Sequence, residues 1–340
     1  MAVVSGLPVA VDAMGGDKAP TEIVAGARQA CDTLGVPVVL VGSPELIGDT
    51  LGLPVIEASE VIGMDEDPGP AVRRKKHSSL VRAAEAVRDG EAAAMVSAGN
   101  TGAAMASALL RMGRLKGIAR PGIATPIPRS GTHPSILIDA GANAECTKVM
   151  LVQFAQMGAA YVSARYHSES PSVALLSIGE EPTKGNALVK ETHAALAEMA
   201  GINFIGNVEG RDLLPATADV VVTDGFTGNV ALKALEGSLK FFMGALLEVF
   251  SIDEETKRAS EVLLPHLAPL AEDLDPDGTG GAVLLGVKGV CVISHGSSNA
   301  RAIVSAVRVA HEAVTADLVG RLQLAVAPAH PRDPHGSDRA

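Results

Sequence analysis

The chain predicts an α/β fold in which helices cover a mostly parallel sheet, and three observations carry that expectation. Short runs rich in Val, Ile and Leu alternate with Ala-rich stretches of helical length. Six of the runs lead into loops of Gly with Asp, Asn, Ser, Thr or His. Hydrophobic residues make up 47% of the 340, yet Trp is absent and Tyr occurs only at Tyr161 and Tyr166. Small and branched side chains of this kind suit the tight layers between helices and parallel strands.

The expected strands are Pro8 to Val11, Pro37 to Val41, Ala93 to Val96, Gly122 to Pro126, Ser135 to Ile138, Ser172 to Ser177, Asp219 to Thr223 and Gly289 to Ser294. Between the first two, Ile23, Ala27, Ala30, Cys31 and Leu34 share one helical face, with Pro20 near the start and Gly35 as terminator. A second helix follows Asn100, with Met105, Leu109 and Met112 on one face. The segment 239–275 departs from the alternation. It holds Phe241, Phe242 and Phe250, a polar turn at 252–258, and an apolar stretch broken by Pro265 and Pro269. It reads as a helical hairpin leaving the sheet, with dimerisation preferred over membrane contact as its use. Residues 8–325 then form one catalytic domain, and 326–340, rich in Pro, His and charge, form a disordered tail whose His330 and His335 are not ligands.

The loops after the strands are 12–17, 97–102, 139–143, 178–181, 224–229 and 295–299. In an open α/β sheet, ligands bind at the carboxyl ends of strands, where glycine lets backbone amides approach and helix N-termini favour anions. A parallel sheet would gather all six loops at one end.

Composition excludes several classes. A net charge of −11 argues against a general nucleic-acid binder. Cys31, Cys146 and Cys291 are far apart, which fits a reducing cytosol and no structural zinc. Neither a signal peptide nor an apolar run of about 18 residues is present, so any membrane link is peripheral.

The motifs are more specific. In order they are V-D-A-M-G-G-D-K-A-P at 11–20, R-R-K-K-H-S-S at 73–79, S-A-G-N-T-G-A at 97–103, and D-A-G-A-N at 139–143. There follow S-I-G-E-E-P-T-K-G-N at 177–186, N-V-E-G-R-D at 207–212, T-D-G-F-T-G-N at 223–229, G-G-A-V-L-L-G at 280–286 and I-S-H-G-S-S-N at 293–299. This ordered set, from about Pro8 to Arg321, resembles the bacterial acyl-carrier-protein:phosphate acyltransferase family. The resemblance implies a three-layer α/β/α sandwich akin to phosphotransacetylase and isopropylmalate dehydrogenase. It also implies a homodimer, no organic cofactor, and peripheral contact with the inner face of the cytoplasmic membrane. The product would pass to a membrane enzyme that acylates glycerol 3-phosphate. Two departures bear on membrane contact and site chemistry: Lys18 stands where the family usually has His, and 275–279 lacks the family's tyrosines.

The implied reaction is attack of phosphate on the thioester of long-chain acyl-acyl carrier protein. Phosphate is already substantially dianionic at neutral pH, and the leaving thiol has a pKa of about 8.5. The site must therefore hold phosphate, orient the thioester and stabilise an oxyanion, which needs neither a Ser-His-Asp triad nor a metal. Lys184 in T-K-G-N is the expected cation for phosphate and oxyanion, against the alternative of a solvated surface lysine. Asn229 and Asn100 are expected amide donors and, equally, good helix N-caps. His295 assists proton movement or donates to phosphate, or is simply structural. Gly15, Gly16, Asp17, Thr101, Asn143, Asn186, Asp224, Ser297 and Asn299 complete the expected phosphate and substrate set. Its aspartates orient donors or cap helices rather than touch a dianion.

Acyl carrier protein is acidic, so Arg73, Arg74, Lys75 and Lys76 form one expected dock, and Arg111 and Arg114 begin another. Alternative readings are a phosphotransacetylase-like enzyme using acyl-coenzyme A, and a non-catalytic scaffold of lipid synthesis. A nicotinamide-dependent dehydrogenase is disfavoured, because no G-x-G-x-x-G follows a strand.

Overall fold

A computed structural model describes residues 6–129, 133–273, 278 and 280–326. The tail expected at 326–340 lies outside them except for Val326, and the 275–279 departure lies outside them except for Gly278. The strands are β1 (Val9–Asp12), β2 (Val38–Gly42), β3 (Val55–Glu57), β4 (Ala94–Ser97), β5 (Gly122–Ile127), β6 (Ser135–Ile138), β7 (Ser172–Leu176), β8 (Asn203–Val208), β9 (Val220–Val222), β10 (Ala282–Leu285) and β11 (Val290–Ile293). The helices are α1 (Thr21–Leu34), α2 (Pro44–Ile47), α3 (Pro68–Arg74), α4 (Ser79–Arg88), α5 (Thr101–Arg111), α6 (Lys148–Tyr166), α7 (Ala187–Ala197), α8 (Gly225–Val249), α9 (Glu254–Asp273), α10 (Ala300–Thr315) and α11 (Leu318–Ala325).

The strands form one eleven-stranded sheet in the order β3-β2-β1-β4-β11-β10-β5-β6-β9-β7-β8. Its side chains alternate between two cores, as the period of two demands. Val9, Val11, Ile136 and Ile138 face one core with α1, α6, α10 and α11, while Ala10 and Leu137 face the other with α3, α4 and α5. This is the expected three-layer α/β/α sandwich. Small residues set the layer spacing. A Cβ on Gly26 of α1 would lie 2.5 Å from the Ala300 carbonyl oxygen, so glycine there admits the start of α10. Gly35, at φ 66°, ends α1 with its N–H on the Cys31 carbonyl, as the sequence predicts.

The six loops do not sit at one end of a parallel sheet. β10 pairs antiparallel with both β11 and β5, and β5 pairs antiparallel with β6. The β1, β4 and β11 strands therefore run opposite to β6, β9 and β7. The reversal is not visible locally, because strand direction depends on the chain's path between strands. Twist partly undoes it. β1 and β7 are seven steps apart, and about 20–25° per step accumulates to roughly 140–175°. Residues from the carboxyl ends of both halves, Ala140 on one and Ser294 and His295 on the other, line one groove over the central strands, with a loop crest at each end.

Two helices differ from expectation. α5 buries Ala103, Ala104, Ser107 and Ala108 most deeply; the expected Met112 is buried with them, while Met105 and Leu109 are only half-buried. The hairpin is longer than 239–275: α8 runs unbroken from Gly225, and α9 continues through Pro265 and Pro269. Pro265 and Glu261, four residues before it, are both exposed, so the carbonyl freed by the missing N–H is solvated.

Candidate active site

The first crest joins the loops after β1, β4 and β11. Asp12 ends β1 fully buried, where Oδ1 accepts from Met14 N–H at 3.1 Å and Oδ2 from Ser97 Oγ at 2.6 Å. Ser97 Oγ in turn accepts from Gly99 N–H at 2.9 Å. Burial pushes the Asp12 carboxyl above its ordinary range, and these bonds oppose the shift. The loops interlock at glycines: a Cβ on Gly15 would lie 2.7 Å from the Gly99 nitrogen, and Gly16 holds φ 106° against Ala98 and Gly296. Asp17 N–H donates to Gly296 O at 2.8 Å. His295 and Ser297 are exposed, with His295 Nδ1 and Ser297 Oγ 2.8 Å apart. Thr101 is exposed at the start of α5, and Asn299 caps α10 by accepting from Ala302 N–H at 3.0 Å.

Asn100 sits between these loops with its side chain fully engaged. Its oxygen caps α5 through Ala103 N–H, and Nδ2 donates to the carbonyls of Gly63, Met64 and Glu66. The capping role foreseen for it is the one the structure displays. An amide directed at substrate would have to give up these bonds.

The second crest joins the loops after β6, β9 and β7, and Asp139 organises it. Its Oδ1 accepts from the N–H groups of Ile123, Gly141 and Ala142, and its Oδ2 from Asn143 N–H and Nδ2. Burial raises the pKa of this carboxyl too, against the pull of those donors. Asn143 is therefore structural in its side chain, which also donates to Pro121 O at 2.8 Å. Close approach again requires glycine: a Cβ on Gly228 would stand 2.0 Å from Asp139 O, and one on Gly225 2.6 Å from Asn143 O. Asp224 caps α8, accepting from Thr227 N–H at 2.9 Å and Thr227 Oγ1 at 2.8 Å. Asn229 follows in the first turn, exposed and facing Gly141.

Lys184 belongs to this crest, at the loop after β7. Its stem lies over Gly179, its ammonium is exposed, and it has no ion pair among the described residues. Asn186 caps α7 through Val189 N–H at 2.9 Å. Ser177 Oγ, beside Gly185, is buried without a hydrogen-bond partner.

An apolar groove connects the crests. Ile123, Thr125, Ile127, Ala282 and Ile293 form its floor, and Leu232, Leu235 and Leu239 of α8 its roof. Ala140 and Asn229 line it from the second crest, and Thr101, Ser294 and His295 from the first. Lys184 does not line this groove, so the three residues expected to carry the chemistry are not gathered in one cluster. The sequence reading missed the groove because its floor uses β10, a strand that no local pattern separates from a loop.

The basic clusters are partly committed. Lys75 bonds Glu66 and the Val61 carbonyl, and Arg74 bonds Glu66 at 3.0 Å. Arg111 lies 3.6 Å from Glu85, and Arg114 donates to Ala119 O. Arg73 and Lys76 are exposed and form no ion pair among the described residues. No group of three or more His, Cys, Asp or Glu that could hold a metal occurs among the described residues.

Burial pushes the Cys146 thiol up to about 11, and Cys291 up to about 12. The thiolate is the reactive form, so burial leaves little of Cys146 reactive at neutral pH. Peptide mapping after iodoacetamide treatment should find it unmodified at pH 7.5, with labelling rising about tenfold per pH unit toward its pKa. Rapid labelling at neutral pH would contradict this.

Two loop crests at the ends of one groove in an α/β/α sandwich, with helix N-termini and glycine loops beside it, suit an enzyme that handles an anionic group. The fatty acid synthesis protein family model matches residues 7–321, and the chain belongs to that family. Among its relatives are proteins named phosphate acyltransferase from a Nostoc species, 45% identical over 93% of this chain and 95% of the relative. Another, from Pelotomaculum thermopropionicum, is 46% identical over 91% and 92%. The protein is accordingly an acyltransferase. In fold it is similar to a phosphotransacetylase from Streptococcus pyogenes, with TM-score 0.61, 15% identity and coverage of 92% and 95%. A branched-chain phosphotransacylase from Enterococcus faecalis gives 0.58, 17%, 90% and 99%.

Proposed function

We infer that the protein transfers the acyl group of a long-chain acyl-acyl carrier protein to inorganic phosphate, releasing acyl phosphate and free carrier. Kinship carries the reading: 45% identity to a phosphate acyltransferase over 93% of the chain. A phosphate oxygen attacks the thioester carbon, the C–S bond breaks, and the phosphate's own proton goes to the departing thiolate. The protein's tasks are positioning and oxyanion stabilisation. Transfer is direct in this account, because phosphate is already a competent nucleophile.

Lys184 and Asn229 serve the phosphate and developing oxyanion from the second crest. The first crest, with His295, Ser297, Thr101 and the amides at Gly15 and Gly16, offers a second set of donors at the other end of the groove, for a substrate that enters there. Asn100, Asn143, Asn186, Asp224 and Asn299 act by shaping these loops, through the caps and bonds described above. Arg73 and Lys76 are the uncommitted cations for the acidic carrier. Phosphate-dependent release of free carrier, with acyl phosphate trapped as hydroxamate, tests the reading, and an acyl-coenzyme A control tests the alternative donor.

The protein works as a homodimer through the α8–α9 hairpin. Phe241, Phe242, Ile252 and Val262 are 79%, 64%, 70% and 67% exposed in the single chain, an apolar display that calls for a cover. Phe241→Asp is expected to convert dimer to monomer by light scattering, and a dimer of unchanged affinity would contradict this. No helix among the described residues is long and apolar enough to cross a membrane. Contact with the membrane, where the acyl phosphate would be handed to the enzyme acylating glycerol 3-phosphate, is peripheral in this reading.

A further inference from the structure

We infer that the groove between β5 and α8 holds the substrate's acyl chain, and that Ala282 on its floor and Leu235 on its roof limit the chain length. The assignment rests on the acyl-transfer reading and adds the place and the ruler.

The two sides of the groove have similar lengths. The floor follows β5 from Ile123 to Pro128, five residue steps or about 17 Å. The roof follows α8 from Asn229 to Leu239, ten residue steps or about 15 Å. Both start at the second crest, since Ala140 N–H bonds Ile123 O at 3.0 Å and Asn229 faces Gly141. An extended hydrocarbon advances about 1.25 Å per C–C bond of ~1.52 Å, so the groove takes roughly a dozen carbons laid straight.

Chemistry along the groove fits this use. Between the crests it is lined by Ile123, Ile127, Ile293, Leu232, Leu235 and Ala282, with Thr125 among them. Polar groups concentrate where the crests meet it, at Asn229 on one side and at Thr101, Ser294 and His295 on the other. A thioester seated at either crest would lay its tail on apolar surface. Lys233 and Glu236, paired at 2.8 Å, close the outer rim with their charges satisfied. The α8 roof is only half-buried at Leu232, Leu235 and Leu239, and a chain beneath it would cover apolar surface that the protein alone leaves open.

The alternation of the sheet selects Ala282. It sits opposite the middle of β5, because its neighbour Val283 pairs with Ala124, and its side belongs to the α8 core. Any larger side chain there divides the groove whichever crest the chain enters from. Leu235 of α8 lines the same groove half-buried, where a larger ring is more easily accommodated.

The test is the ratio of kcat/KM for palmitoyl- and octanoyl-acyl carrier protein in wild type, Ala282→Leu and Leu235→Phe. Each methylene denied burial costs about fourfold, so a plug excluding three or four methylenes should lower the palmitoyl-to-octanoyl ratio on the order of 100-fold. Palmitate binding by calorimetry on the same proteins separates groove from chemistry. If wild type turned over no thioester but bound palmitate, and both plugs abolished that binding, the groove would stand and the reaction would fall. A folded Leu235→Phe protein with the wild-type ratio and wild-type palmitate affinity overturns the assignment. So does a plug that alters only the oligomeric state, which would mean that a second copy fills the groove.

Discussion

Asp139→Ala is expected to destabilise the protein by several kcal/mol, at about 1–3 kcal/mol for each buried donor left without an acceptor. Its two oxygens gather five N–H groups from Ile123, Gly141, Ala142 and Asn143. Alanine leaves these donors without their acceptor, and each such loss costs about 1–3 kcal/mol where water does not replace it. The whole stability of a domain is only about 5–15 kcal/mol, so the denaturant midpoint should fall sharply. The loss should reach the chemistry as well, because the same carboxylate shapes the loop against which α8 and Asn229 are set through Gly225 and Gly228. Asp139→Asn keeps the shape but turns one acceptor into a donor facing donors, and should fall between wild type and alanine. An unchanged midpoint in Asp139→Ala would show that the second crest does not depend on this hub.

Lys184→Ala should show the opposite profile, a large loss of activity on an intact fold. The ammonium is exposed and makes no ion pair among the described residues, so its removal should leave the denaturant midpoint where it was. Removing a group that stabilises transition-state charge typically lowers turnover by about 10²–10³, and that is the expected fall in kcat/KM. Lys184→Arg keeps the charge but changes its geometry, and should recover part of the loss while raising the KM for phosphate. A merely structural lysine would give neither the phosphate dependence nor the partial rescue. Near-normal turnover in the alanine variant would remove Lys184 from the mechanism.

Much of the scaffold is legible in the sequence because its signals are local. Val9 to Val11, Ile136 to Ile138 and Val220 to Val222 announce themselves by β-branched composition, and Pro20 and Gly35 bracket α1. The missed strands lack such signals. β3 is three residues long, β8 contains Asn203, Gly206 and Asn207, and β10 is a short Ala-Val-Leu-Leu run between glycines. The consequential error concerns direction: β5 and β10 lie antiparallel at the centre, which no residue in either strand encodes. The loops expected at one edge therefore belong to two crests, which meet the same groove at its two ends.

The site was partly legible for the same reason. Asn and Asp in glycine loops mark strand-helix junctions, and Asn100, Asn186, Asp224 and Asn299 all cap helices. Sequence alone could not show that Asn100 spends its amide on three carbonyls, since Gly63, Met64 and Glu66 reach it only through the fold. Likewise the charges of Arg73 to Lys76 are adjacent in sequence, but Glu66 claims Arg74 and Lys75. The groove is the most nonlocal feature, assembled from β5, β10, β11 and α8.

The most direct measurement is release of free acyl carrier protein from its palmitoyl thioester as a function of inorganic phosphate, with hydroxylamine present to trap acyl phosphate. Release that saturates with phosphate and yields one hydroxamate per carrier is the expected result. No release from folded protein at any phosphate concentration, or release that ignores phosphate, would contradict acyl transfer to phosphate as the function.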